Sequence, residues 1–262
     1  MLLPLFGVAA AADLTIRVQP PGATAATTIV LHDLEPGRLP TVELPEDATH
    51  AWRLGMAYAA VPDGARLGFA FERTTLGVDG RWRVEPGVTH LVDVGTNSHT
   101  RLAWGEDHPV QGTDGRWGLR EATTDLEVRL DDGTVPTTVL PADHRLDLHL
   151  AGWDQPTVRL SILAPAEGAQ PVVEVPTGAR TVRRVAVAVA PTGSGHSFAF
   201  ALTDATRRGK KLLPGESWTP TVLAPDNTEA SFAHGHLESA DRGVRVDAVW
   251  VDPDASSAAE PG

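Results

Sequence analysis

His234-Gly235-His236 is the spacing in this chain best suited to chemistry. Residues i and i+2 of a strand point the same way, so both imidazoles could reach one Zn or Cu ion. A third ligand must come from elsewhere, and His90, His99, His108 and His144 are the candidates. Surface histidines beside a turn are the simpler account of the pair. Gly193-Ser194-Gly195-His196 is not a nucleophile elbow, which needs Gly-x-Ser-x-Gly between a strand and a helix. It falls between two strand-like runs and reads as a Gly-rich hairpin turn. Asp131-Asp132 and Asp252/Asp254 lie in a turn and a tail, without the alternating oxygen ligands of a calcium loop. Seven tryptophans stand beside a single tyrosine, and flat aromatic faces can stack on sugar rings. Trp82, Trp104, Trp117, Trp153 and Trp218 lie near turns or strand ends, with Trp104 and Trp218 the candidate ligand-binding pair. Filling a sandwich core or edge is the competing use of the same residues. No glycine pattern for phosphate or dinucleotide is present, so no catalytic residue and no cofactor is assigned.

The elements that would position these side chains are strands. Leu126, Val128 and Leu130 alternate with charged residues, as do Leu146, Leu148 and Leu150. Leu54, Met56 and Tyr58 share one face of a third run, while Val185–Val189 and Val244–Trp250 repeat the pattern. A two-residue period places alternate side chains in a core, and β-branched residues suit the pleat. Turn dipeptides such as Asp79-Gly80, Asp114-Gly115 and Asp132-Gly133 separate the runs, and no run of ten or more residues carries a 3.6 period.

The chain also echoes itself. Pro40-Thr41-Val42-Glu43-Leu44-Pro45 returns as Pro171-Val172-Val173-Glu174-Val175-Pro176, 131 residues later. Gly68-Phe69-Ala70-Phe71 returns as Ser197-Phe198-Ala199-Phe200 at 129, and Gly105 pairs with Gly235 at 130. A period this long indicates a tandem domain rather than a solenoid of about 20–50-residue units. The expected fold is all-β: two antiparallel β-sandwich-like domains, 13–133 and 134–253, from an internal duplication. The apolar run Met1–Ala12, ending in small residues, reads as a secretory signal, although it lacks a basic start. Residues 254–262, without an apolar anchor, are expected to be disordered.

Composition narrows the partners. A formal net charge of -12 argues against nucleic acid, which demands basic patches. Zero cysteine removes disulfides, thiolate metal sites and cysteine nucleophiles. No segment approaches the roughly 20 apolar residues of a membrane span. Two lysines beside twenty arginines suit a GC-rich bacterium. A periplasmic or secreted location follows from the signal-like start.

Trp218-Thr219-Pro220 through Ala233-His234-Gly235, followed by Gly243-Val244-Arg245-Val246-Asp247-Ala248-Val249, resembles a segment of the secretin family, the outer-membrane pores of type II and type III secretion. Pro86 to Gly105 and Asp125 to Gly133 echo it in the first half. The resemblance covers about forty residues per repeat and implies a strand, turn, strand unit; the chain has no room for a secretin's pore and periplasmic arm. His234-Gly235-His236-Leu237 is also similar to the His-x-His strand of tandem β-sandwich copper monooxygenases. Those enzymes need a further His pair and a Met, whereas Met56 is the only methionine after Met1. Three functions are therefore carried forward. The first is a non-enzymatic, exported envelope protein acting through a protein partner or self-assembly, accessory to secretion. The others are a polysaccharide-binding module and a copper or zinc site on His234 and His236.

Overall fold

Backbone hydrogen bonding in the computed structural model describes residues 12–21, 23–111, 117–131, 144–152, 157–234 and 244–253. The described residues contain strands and no helix, so none long and apolar enough to cross a membrane.

The first half supplies β1 (Ala12–Gln19), β2 (Thr27–Leu34), β3 (Gly37–Arg38), β4 (Thr41–Pro45), β5 (His50–Val61), β6 (Gly64–Leu76), β7 (Trp82–Gly95), β8 (Ser98–Gln111) and β9 (Trp117–Asp131). The second supplies β10 (Arg145–Gly152), β11 (Val158–Leu163), β12 (Gly168–Ala169), β13 (Val172–Pro176), β14 (Thr181–Thr192) and β15 (Gly195–Arg208). It continues with β16 (Lys211–Trp218), β17 (Thr221–Ala224), β18 (Ala230–His234) and β19 (Val244–Val251).

Two antiparallel sheets result, and both run across the 133/134 boundary. The first has eight strands in the order β18-β19-β10-β11-β2-β1-β9-β8. The second has eleven, following β4-β5-β6-β7-β16-β15-β14-β13 and returning to β4, so its ladder closes into a ring. Strands β3, β12 and β17 attach to that ring through β5, β14 and β15.

The alternating runs read from sequence supply the core between the sheets. Leu54, Met56 and Tyr58, Leu126, Val128 and Leu130, Leu146, Leu148 and Leu150, and Val185, Val187 and Val189 are all buried there. Val246, Ala248 and Trp250 join them from β19. One continuous cluster thus draws on both halves. Burying such side chains, at about 25 cal/mol per Å² of apolar surface, is the main force holding the sheets together.

Left-handed residues recur between the halves at spacings of 129 to 131, with Gly80 and Gly209 at 129 and Asn97 and Asn227 at 130, and three further pairs at 131. Asp33 and Ala164 both adopt left-handed φ, as do Gly37 and Gly168. Gly64 and Gly195 open the second strands of equivalent hairpins, and a Cβ at either would strike a carbonyl oxygen, that of Val94 or Ala224. With these glycines aligned, Phe69 falls on Phe200 but Phe71 on Leu202 and Leu67 on Phe198, so the Phe-x-Phe match at 129 does not mark equivalent positions. A two-residue slip leaves a strand's buried face unchanged, which is why the sequence could not separate the two registers.

Candidate functional site

Of the residues singled out by sequence, His234 ends β18, where it pairs with Val244; its side chain and all of His236 lie outside the described residues. His90 lies on β7, His99 on β8 and His144 beside β10, and the described residues hold no group of three His, Cys, Asp or Glu placed for a metal. Trp104 sits opposite Thr124 on the β8–β9 ladder, its side chain undescribed. Trp218 is half-buried and packs against the core, leaving less of its face for a sugar. Gly193–Gly195 forms the expected hairpin turn between β14 and β15. In the stretch that resembles a secretin, β17 and β18 pair with β15 and β19 respectively and lie in different sheets.

Sequence reading missed a groove on the outer face of the eight-stranded sheet, where β2 meets β11. Two hollows of about 500 and 550 Å³ share His32, Asp33 and Arg159. Across the strands runs a hydrogen-bonded chain. His32 Nδ1 lies 2.9 Å from Asp13 Oδ2 and Nε2 lies 3.0 Å from Ser161 Oγ. The Ser161 hydroxyl lies 2.6 Å from Asp147 Oδ1. The first three groups reproduce the order of an Asp-His-Ser triad. Two features argue against a nucleophile. The shorter contact takes the Ser161 proton to Asp147 rather than to His32. Ser161 is paired on both sides, to Asp147 and Val30, so its strand backbone is committed to the ladder instead of forming an oxyanion hole.

The remaining groove charges are largely paired among themselves. Arg145 bonds Asp147, and Arg159 bonds Asp33. Asp247 accepts from Arg245 and Ser231 and lies 3.2 Å from His149. Burial would raise the Asp247 carboxyl, but those bonds outweigh it and hold it below its ordinary range. Such an arrangement can bind a polar ligand by exchange of partners; it does not assemble acyl-transfer machinery.

A second charged cluster lies inside the ring. Arg53, on β5, forms ion pairs with Glu43 (2.9 Å), Glu72 (2.9 Å) and Glu174. Arg184, on β14, pairs with Glu174 (3.1 Å) and Glu43, and its guanidinium lies 5.2 Å over the Trp82 ring. Arg53, Glu43 and Glu174 are each at most 2 % exposed. Burial raises the Glu43 carboxyl above its ordinary 4.5, against the pull of Arg184. Burial acts to lower Arg53, but Glu174, Glu43 and Glu72 together raise it. Beside the cluster Val84, Val182, Ala205 and Leu212 form a small apolar core. A buried network joined by five ion pairs ties the halves together, because a shifted pairing would strand a charge.

The third feature is an arm. The β8–β9 ladder runs from Ser98–Leu130 to Gln111–Trp117, whereas β1 covers β9 only from Asp125 to Asp131. Among the described residues, the rungs from Gly105–Thr123 to Gln111–Trp117 pair with no third strand and form a two-stranded ribbon beyond the β1–β9 ladder, with Thr124 buried at its base. Comparison with known protein families, curated proteins and solved structures finds no match to this chain.

Proposed function

We propose that this chain is a non-enzymatic assembly protein, exported to the bacterial envelope, that engages a protein partner through the β8–β9 arm. The observation that carries the reading is the ribbon itself. Two-stranded hairpins are marginally stable in water unless a further strand or surface covers them. Free strand edges are natural sites of pairing with another chain. Among the described residues, the arm offers the edge of β8 and, beyond Asp125, that of β9. The self-paired groove charges and the committed Ser161 support a binding rather than a catalytic role. Export rests on the apolar Met1–Ala12 run; Ala12 already pairs with Leu34 in β1. A place beside a secretion apparatus rests on the resemblance of the stretches 218–235 and 243–249.

The test replaces residues 105–123 by a two-residue Asn-Gly turn joining Trp104 to Thr124, which already face each other. Light scattering of the pure protein and recovery of partners from envelope extract are then compared with the full chain. Assembly or partner recovery by the full chain alone, with the melting temperature of the trimmed chain unchanged, supports the reading. Equal behaviour of the two chains, or association by neither, overturns it.

A further inference from the structure

Two of the ladders joining the halves, β2–β11 and β4–β13, have the form of an interface between two copies of one object. In β2–β11, Val30 pairs with Ser161, the residue 131 positions on. The flanking rungs are reciprocal: Ile29 meets Ile162 and Leu31 meets Leu160, where Leu160 is the counterpart of Ile29 and Ile162 that of Leu31. The β4–β13 ladder repeats this. Val42 pairs with its counterpart Val173, while Thr41–Glu174 and Glu43–Val172 exchange roles. The ion pairs obey the same rule, since Arg53 and Arg184 each bridge Glu43 and Glu174. Reciprocal contacts about a self-paired centre define an isologous, twofold interface.

We infer that the seat each half offers is filled equally by the complementary half of a second copy, so that two chains exchange halves into a dimer. Every seam contact in the single chain is remade between chains, and reciprocal exchange of identical elements is a low-cost route to a dimer. Concentration during folding then sets the balance, because the intramolecular seat competes through its effective concentration. The departures from symmetry decide which halves pair. Glu72 adds a third carboxylate beside Arg53, and its counterpart is Thr203. Pairing two first halves would therefore set four carboxylates against two arginines in the ring. In the pairing of unlike halves Arg207 lies 3.5 Å from Glu72 and offsets that excess. The hydrogen bonds from His32 to Ser161 and from Arg159 to Asp33 likewise need one half of each kind. The exchanged dimer thus joins unlike halves, independently of the arm.

The chain has no cysteine, so an engineered pair reports cleanly. Thr28 and Leu163 face each other across β2–β11, and directly opposed Cβ atoms lie about 4.5–5.5 Å apart. The full-length Thr28→Cys/Leu163→Cys chain is refolded from urea over a hundredfold concentration range, then oxidised and run without reductant. Bonds within one chain should dominate at low concentration. A covalent dimer, twice 27.7 kDa, should grow about tenfold per tenfold concentration while it is scarce. It should persist when the arm is trimmed. As a second measurement, isotopically labelled and unlabelled wild-type chains refolded together should give mixed dimers by native mass spectrometry. Monomer alone at every concentration in the mass measurement, or only intrachain bonds in the cysteine variant, overturns the inference.

Discussion

Of the ladders where the two halves meet, β4–β13 and β2–β11 use charge in opposite ways. Within the ring, Arg53, Glu43 and Glu174 are closed off from water, with Arg184 mostly covered beside them. On the outer sheet, the Asp13-His32-Ser161-Asp147 chain lines an open groove, with His32 and Asp13 about a third or more exposed. Water can replace a lost partner in the groove and cannot do so in the ring. An ion pair of similar length is therefore structural in one place and adjustable in the other.

The largest separation between the seams should come from Glu174→Ala. It leaves Arg53 and Arg184 sharing Glu43, with only Glu72 as a further partner of Arg53, and should cost about 3–5 kcal/mol, read from urea unfolding. A loss below 1 kcal/mol would mean that water reaches the ring. Next come Gly64→Ala and Gly195→Ala, each driving a Cβ into a carbonyl at left-handed φ. Strain of order 1–3 kcal/mol is expected at both. A large effect at one glycine alone would break the equivalence of the halves.

The pH dependence should divide the same way. The folded Glu43 carboxyl titrates above its unfolded value, so its contribution to stability is full below about pH 4.5 and is lost as pH rises through the folded value. Asp247, held low by Arg245 and Ser231, behaves in reverse: its contribution is present above about 3.8 and disappears as pH falls. Glu43→Gln should flatten the loss above pH 4.5 and leave the acid limb in place, measured by melting temperature across pH 3–7. Asp247→Asn should flatten the acid limb alone. The smallest effect is expected in the groove, where Ser161→Ala should cost about 1 kcal/mol or less. A drop several times larger would make the His32 chain part of the framework.

Arg53 shows why the buried site escaped sequence reading. It alternates with Trp52 and Leu54 on β5, so a two-residue period assigns it to the solvent face of a sheet. The period was right, but that face curls onto its counterpart and becomes an interior. His32 and Ser161 were missed for another reason: they lie 129 residues apart, and only the β2–β11 pairing brings them within 3.0 Å. Glu43 and Glu174 were already visible as equivalent residues, although nothing in their spacing announced a meeting.

The all-β class, the buried faces of β5, β9, β10, β14 and β19, and the hairpin at Gly195 were determined by the sequence itself. They depend on alternation, β-branched content and glycine's access to left-handed φ, all of which act between near neighbours. Tertiary structure alone decided that the halves share both sheets, that one sheet closes into a ring, and that Glu43, Arg53 and Glu174 are buried at its centre with Arg184 beside them. Those outcomes depend on pairing between strands more than a hundred residues apart, whose register no local pattern encodes.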